Sequence, residues 1–235
     1  MADAHMRLVC FDIDGTLLWT DGAGRRAIHR ALLDVLDVLD TAGPIDTFRF
    51  DGRTDGEIVL RLAESAGIKA DEEITGRVLA RYVEHLPGEL ARPGHTTKVY
   101  PGVCELLDAL ERREDCVLGL LTGNVVAGAR LKLRSGGIDP DRFRVGAFGS
   151  DSHVRGELPA VARKRAQALG FSVSGADVVI IGDTPADMKC GQGIGARGIG
   201  VGTAAYTVAD LLGAGAAAAF ADLSDTEAVM EAIFA

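Results

Sequence analysis

The chain has 235 residues, 47% of them hydrophobic, with a formal net charge of -9 and an isoelectric point near 5. That length suffices for a core domain with a smaller companion and a substantial apolar interior. The acidic balance excludes a general polyanion-binding surface, which needs clustered Lys and Arg, so nucleic acid is not an expected partner.

The chain opens with MADAHMRLVC, which has no signal-like apolar region, and no stretch approaches the roughly 20 continuous apolar residues of a membrane span. A cytoplasmic location with no membrane contact is therefore expected. The first apolar run, Arg7–Phe11, reads as a buried strand and is followed by Asp12-Ile13-Asp14-Gly15-Thr16-Leu17. From about Leu18 to Lys98 the pattern becomes helical: Ile28, Leu32, Val35, Leu36 and Leu39 form one stripe, and further helices are expected at Asp55–Ala66 and Asp71–Leu86. Gly and Pro at Leu18–Gly22 and Thr97–Gly102 supply turn chemistry where this segment begins and ends.

Val103, Leu106, Leu107 and Leu110 then share a helical face, and the charged run Glu111–Asp115 reads as a solvated helix end. Further strands are expected at Cys116–Leu121, Val145–Phe148, Val178–Ile181, Gly198–Val201 and Ala217–Phe220, as short apolar runs bounded by Gly, Asp or Thr. Alternating strands and helices predict a doubly wound, Rossmann-like parallel sheet. After Cys116 the strands recur at about the ~30 residues of a β-α-β unit. The first strand is separated from the second by far more, which predicts a helical domain of residues 18–98 inserted into a core of 1–17 and 99–235. The four cysteines (Cys10, Cys104, Cys116, Cys190) and the five histidines lack zinc-ligand spacing, and the cysteines read as reduced, buried residues.

Ligands in open α/β sheets bind beyond the carboxyl ends of strands, which makes the Asp12/Asp14 pair a candidate site. Two carboxylates so close repel unless a cation or a shared proton intervenes. That arrangement suits phosphoryl transfer, with Asp12 as nucleophile, Asp14 as proton shuttle and Mg²⁺ neutralising the phosphate. Alone, the pair also suits a turn cap; a calcium loop fits poorly, because the twelfth position from Asp12 is Ala23 rather than Glu.

Three further strand ends carry compatible groups. Thr122, Gly123 and Asn124 offer a hydroxyl and main-chain N–H groups to an anion, Asp183 and Asp187 add oxygen ligands, and Arg155 adds a cation. Each also has a plain reading as a helix cap, a turn or a surface residue, and Lys164 competes with Arg155 as the site cation.

With these segments in view, the chain resembles the haloacid dehalogenase superfamily, in its phosphoglycolate-phosphatase-like branch with a helical cap. The resemblance rests on Asp12, Asp14 and Thr16, on Thr122, and on Asp183 with Asp187. It implies Mg²⁺ held by the Asp12 side chain, the Asp14 carbonyl and the Asp183 side chain, with Asp187 beside them. It also implies a small phosphorylated metabolite as substrate and an aspartyl-phosphate on Asp12. Asp51–Asp55 resembles the cap segment that faces the substrate, which would let Arg53 meet a substrate anion; an ordinary helix-start arginine is the other reading of that residue. The one departure is Arg155-Gly156 where the family usually has Lys, commonly followed by Pro. Asp14 argues against dehalogenase and phosphonate-cleaving members, whereas a sugar-phosphate mutase keeps both carboxylates. A phospho-accepting receiver module and a catalytically silent binding protein are the alternatives from other classes.

Overall fold

The computed structural model describes residues 6–36 and 42–235. In chain order its elements are β1 (Arg7–Phe11), β2 (Leu18–Trp19), α1 (Ala23–Leu36), α2 (Ala42–Thr47), α3 (Asp55–Ser65) and α4 (Glu72–Leu90). They continue with β3 (Lys98–Val99), α5 (Val103–Glu111), β4 (Cys116–Thr122), α6 (Val126–Ser135), β5 (Val145–Phe148) and α7 (Leu158–Ala168). The chain finishes with β6 (Val178–Gly182), α8 (Pro185–Cys190), β7 (Arg197–Val201), α9 (Val208–Gly213), β8 (Ala218–Phe220) and α10 (Thr226–Phe234).

Among the described residues, six strands form a parallel sheet in the order β5-β4-β1-β6-β7-β8. β1 is central, and its neighbours β4 and β6 start opposite halves of the sheet. The strand order therefore reverses across β1, and a crevice opens beyond its carboxyl end. Residues alternate between faces with the period of a strand. Val9 and Phe11 pack with α5 and α10 on one side, while Leu8 and Cys10 pack with α7 on the other. Helices on both faces explain why the strands read as continuous apolar runs.

β2 and β3 pair antiparallel where the chain leaves the sheet region and returns to it, with Leu18 opposite Val99. Between them α1, α3 and α4 close around Ile28, Leu32, Ile58, Leu62, Val78, Tyr82 and Leu86, a third apolar cluster that also takes in Val125. The expected stripe residue Leu39 lies outside the described residues. Helix α4 runs four residues past the expected end at Leu86, with Pro87 inside it. Its last turn is tied to α1: Arg26 Nε donates to Glu89 at 2.8 Å and Arg30 donates to the same carboxylate at 3.1 Å. That long-range anchoring offsets the hydrogen bond a proline cannot make. Among the described residues no helix is long and apolar enough to cross a membrane.

Candidate active site

The carboxyl ends of β1, β4 and β6 deliver Asp12, Thr122 and Asp183 to one crevice, because three adjacent parallel strands end side by side. The crevice contains a cavity of about 140 Å³ whose lining includes Asp12, Asp14, Thr122, Asn124, Arg155 and Asp183. Arg53, from the loop before α3, Asp55 and Tyr82 line it from the segment between β2 and β3.

Asp12 is buried, and its Oδ2 lies 3.2 Å from an Arg155 guanidinium nitrogen. Burial pushes the Asp12 carboxyl up to about 6, against the pull of Arg155 and with the repulsion of Asp187 and Asp14. Asp183 is raised well above the ordinary carboxylate range, first by burial and then by Asp187 and Asp12. Thr16 donates to its Oδ1 at 3.0 Å. Asp183 reaches this position because Gly15 adopts φ +87 and has no Cβ; a methyl group there would collide with the Asp183 carboxylate.

Asp187 closes a capping box at the start of α8: Thr184 donates to its Oδ2 from the main-chain N–H at 3.0 Å and from the hydroxyl at 2.6 Å. Its Oδ1 accepts from two Arg155 nitrogens, the Nε at 3.1 Å. Both Asp187 oxygens are thus partnered, and the residue supports Arg155 from behind. Burial favours the neutral form of Arg155, but Asp187 and Asp12 outweigh it and raise its pKa. Lys164 lies exposed on α7.

Carboxylate oxygens of Asp12, Asp183 and Asp187 lie within 4.8 Å of one another, all three residues buried. The donor set is purely oxygen, and three buried carboxylates crowd against one cation, Arg155. A hard divalent cation of the Mg²⁺ type fits both features.

The Asp14 side chain is bonded by groups outside this cluster. Its Oδ2 accepts from Asn124 Nδ2 at 2.8 Å and from Lys132 Nζ at 2.6 Å, and Asn124 Nδ2 also donates to Thr122 Oγ1 at 2.8 Å. Gly123 lies under the loop before α3, where a Cβ would strike the Arg53 carbonyl, and its own carbonyl accepts from the Asp55 N–H at 2.7 Å. Arg53 lines the cavity, but its guanidinium is engaged by Glu57 and by the Arg49 carbonyl.

Lys132, Asp55 and Tyr82 also line the crevice, and sequence reasoning assigned none of them a role. Lys132 occupies the buried face of α6 with Gly128, Ala129 and Leu133, so a lysine inside an apolar stripe was the available signal. Asp55 accepts from the Val125 N–H at 2.9 Å, and burial raises its carboxyl to about 6 against Lys132 and that N–H. The Tyr82 hydroxyl and Asn124 Oδ1 are buried with no hydrogen-bond partner among the described residues.

A family model described as a haloacid dehalogenase-like hydrolase matches residues 6–195. A comparison with curated proteins finds no match. Solved structures with a similar fold include a hydrolase from Pseudomonas syringae, with a TM-score of 0.71 and 21% identity over 96% of this chain and 98% of that one. A predicted phosphoglycolate phosphatase from Haemophilus somnus aligns with a TM-score of 0.68 and 19% identity over 96% and 98%. CbbY from Rhodobacter sphaeroides, solved in complex with phosphate, aligns with 0.70 and 19% over 94% and 96%. At such identities the likeness carries the fold.

Proposed function

The chain belongs to the haloacid dehalogenase-like hydrolases, and from that premise we propose that it is a Mg²⁺-dependent phosphatase of a small, phosphoglycolate-type phosphorylated metabolite. Residues 18–98 would act as the cap over a core of 1–17 and 99–235. The observation that carries the reading is Asp12, buried at the end of the central strand between Arg155 and Asp183 and facing a small cavity.

In this reading an Asp12 carboxylate oxygen attacks phosphorus in line, the bond to the leaving oxygen breaks, and the Asp14 carboxyl proton passes to that oxygen. Asp14 then takes a proton from a water that attacks the aspartyl-phosphate, and phosphate leaves with Asp12 restored. Thr122 and the N–H groups of Gly123 and Asn124 orient the phosphoryl oxygens, and Arg155 offsets charge between carboxylate and phosphate. Asp12, Asp183 and the Asp14 carbonyl would hold Mg²⁺, with Asp187 in support; when bound, it neutralises charge on the transferring group.

Asp12→Asn tests the proposal, since the amide is nearly isosteric and a far poorer nucleophile. The variant is expected to fold and to release no phosphate from metabolites that the wild type hydrolyses; wild-type turnover by a folded variant would refute the mechanism. A sugar-phosphate mutase uses the same two carboxylates, and a β-phosphoglucomutase from Clostridium difficile shares the fold, with a TM-score of 0.68 and 18% identity. Transfer of phosphate between sugar hydroxyls, in place of its release to water, would select that second reading.

A further inference from the structure

We propose that Lys132 is a positioning residue that fixes the Asp14 carboxylate for proton transfer to the leaving group. The catalytic half of this inference rests on the phosphatase reading above; the geometric half does not.

Lys132 projects from α6 into the cavity with 5% of its surface exposed. Its Nζ and Asn124 Nδ2 both donate to the same oxygen, Asp14 Oδ2, at 2.6 and 2.8 Å. Among the described residues no donor meets Oδ1, so the pair of bonds selects which oxygen is left to serve the substrate. The Asp14 side chain retains 34% exposure and therefore has room to rotate. Asn124 is a neutral donor, and the charge-assisted bond from the Lys132 ammonium is the stronger of the two.

A plainly structural role accounts poorly for the lysine. Its neighbours on the helix face, Ala129 and Leu133, are fully buried and apolar, and burying an ammonium there costs several kcal/mol unless a carboxylate meets it. An apolar side chain would satisfy that face at no such cost. The surroundings make room for the charged head: a Cβ on Gly24 of α1 would sit 3.1 Å from Lys132 Nζ, and Asp55 of α3 lies near enough to interact with it electrostatically. α1 thus leaves room for the ammonium, whose one hydrogen bond among the described residues goes to an oxygen of Asp14.

The test is a leaving-group series, read as kcat/KM, which reports phosphorylation of Asp12. A good leaving group such as 4-nitrophenolate needs little protonation, whereas an alkoxide needs the positioned acid. Lys132→Met is expected to lose less than about 5-fold on 4-nitrophenyl phosphate and about 50-fold or more on alkyl phosphates, within the range of general-acid contributions. Asp14→Asn should steepen the series in the same way, and the double variant should be no steeper than Asp14→Asn alone. Lys132→Gln, which keeps a neutral donor, should fall between Met and wild type. A crystal structure of Lys132→Met should show the Asp14 carboxylate rotated from its bond to Asn124.

An equal loss across the series, unchanged kinetics, or Asp14 unmoved in the variant would overturn the proposal. So would failure of both Lys132 variants to fold, which would make the lysine structural. If the wild type hydrolyses no phosphomonoester at all, the phosphatase reading falls, and the orientation of Asp14 in the variant crystal still decides whether Lys132 holds it.

Discussion

Arg155 serves two buried carboxylates at once, and that double duty sets what its loss should do. Removing it would leave Asp187 buried with Thr184 as its remaining partner and Asp12 without its nearest cation. Breaking a buried pair from one side typically costs about 3–5 kcal/mol, because an uncompensated charge stays behind. Arg155→Ala is therefore expected to lower the melting temperature as well as to cut turnover by roughly tenfold or more, in line with the worth of a group that supports transition-state charge. Arg155→Lys should recover part of the turnover but less of the stability, since an ammonium lacks the fork that meets Asp187 through two nitrogens. Lys164→Ala, on the exposed face of α7, should change neither measurably. Steady-state kinetics with thermal melts of the three variants would check this ranking, and a crippled Lys164→Ala beside a normal Arg155→Ala would reverse the assignment.

At the scale of elements, the start of α6 is completed by another helix. Val125 at its N-cap offers no side-chain acceptor to the first turn, and its own N–H is taken by the Asp55 carboxylate from the first turn of α3. The Asp55 N–H bond to the Gly123 carbonyl joins the same two regions, and a Thr54 hydroxyl bond to the His153 carbonyl at 3.0 Å ties the start of α3 to the loop after β5. The carboxyl of Asp55 rises from an ordinary 3.8 to about 6 because burial outweighs Lys132 and the helix N–H. A raised carboxyl keeps its proton in the folded state at pH values where the unfolded chain has released it. Its contribution to stability is thus fully present below about pH 4 and is lost as pH rises through about 6. Asp55→Asn removes that dependence. Between pH 4 and pH 7 the variant's unfolding free energy should improve relative to wild type by up to about 3 kcal/mol, taking about 1.4 kcal/mol per pKa unit. Urea titrations at both pH values would measure it, and a constant difference would show that the carboxyl is not raised.

Across the whole molecule, the sheet gathers more acid than its own cations balance. Asp12, Asp183 and Asp187 crowd together against Arg155, and Asp14 and Asp55 share Lys132 nearby. Thorough chelation should stop phosphate release and added Mg²⁺ should restore it. Mg²⁺ without substrate should also raise the melting temperature, because an ion bound by the folded state alone stabilises it by mass action. Full activity in metal-free buffer would contradict the assignment. The sequence alone determined the six strands of the main sheet, since each is a short apolar run with its own boundaries, while the two-residue strands β2 and β3 carry no such signal and fall in segments read as turns. It also brought Asp12, Thr122 and Asp183 into view, because they stand at the carboxyl ends of those runs. Only the tertiary structure decided that Asp187 backs Arg155, that Arg53 is engaged by Glu57, and that Lys132 and Asp55 belong to the crevice. Periodicity tells which residues share a face of a helix or strand, whereas Lys132 meets Asp14 across 118 positions of chain. Such a contact exists only once the packing of separate elements has set the distance between them.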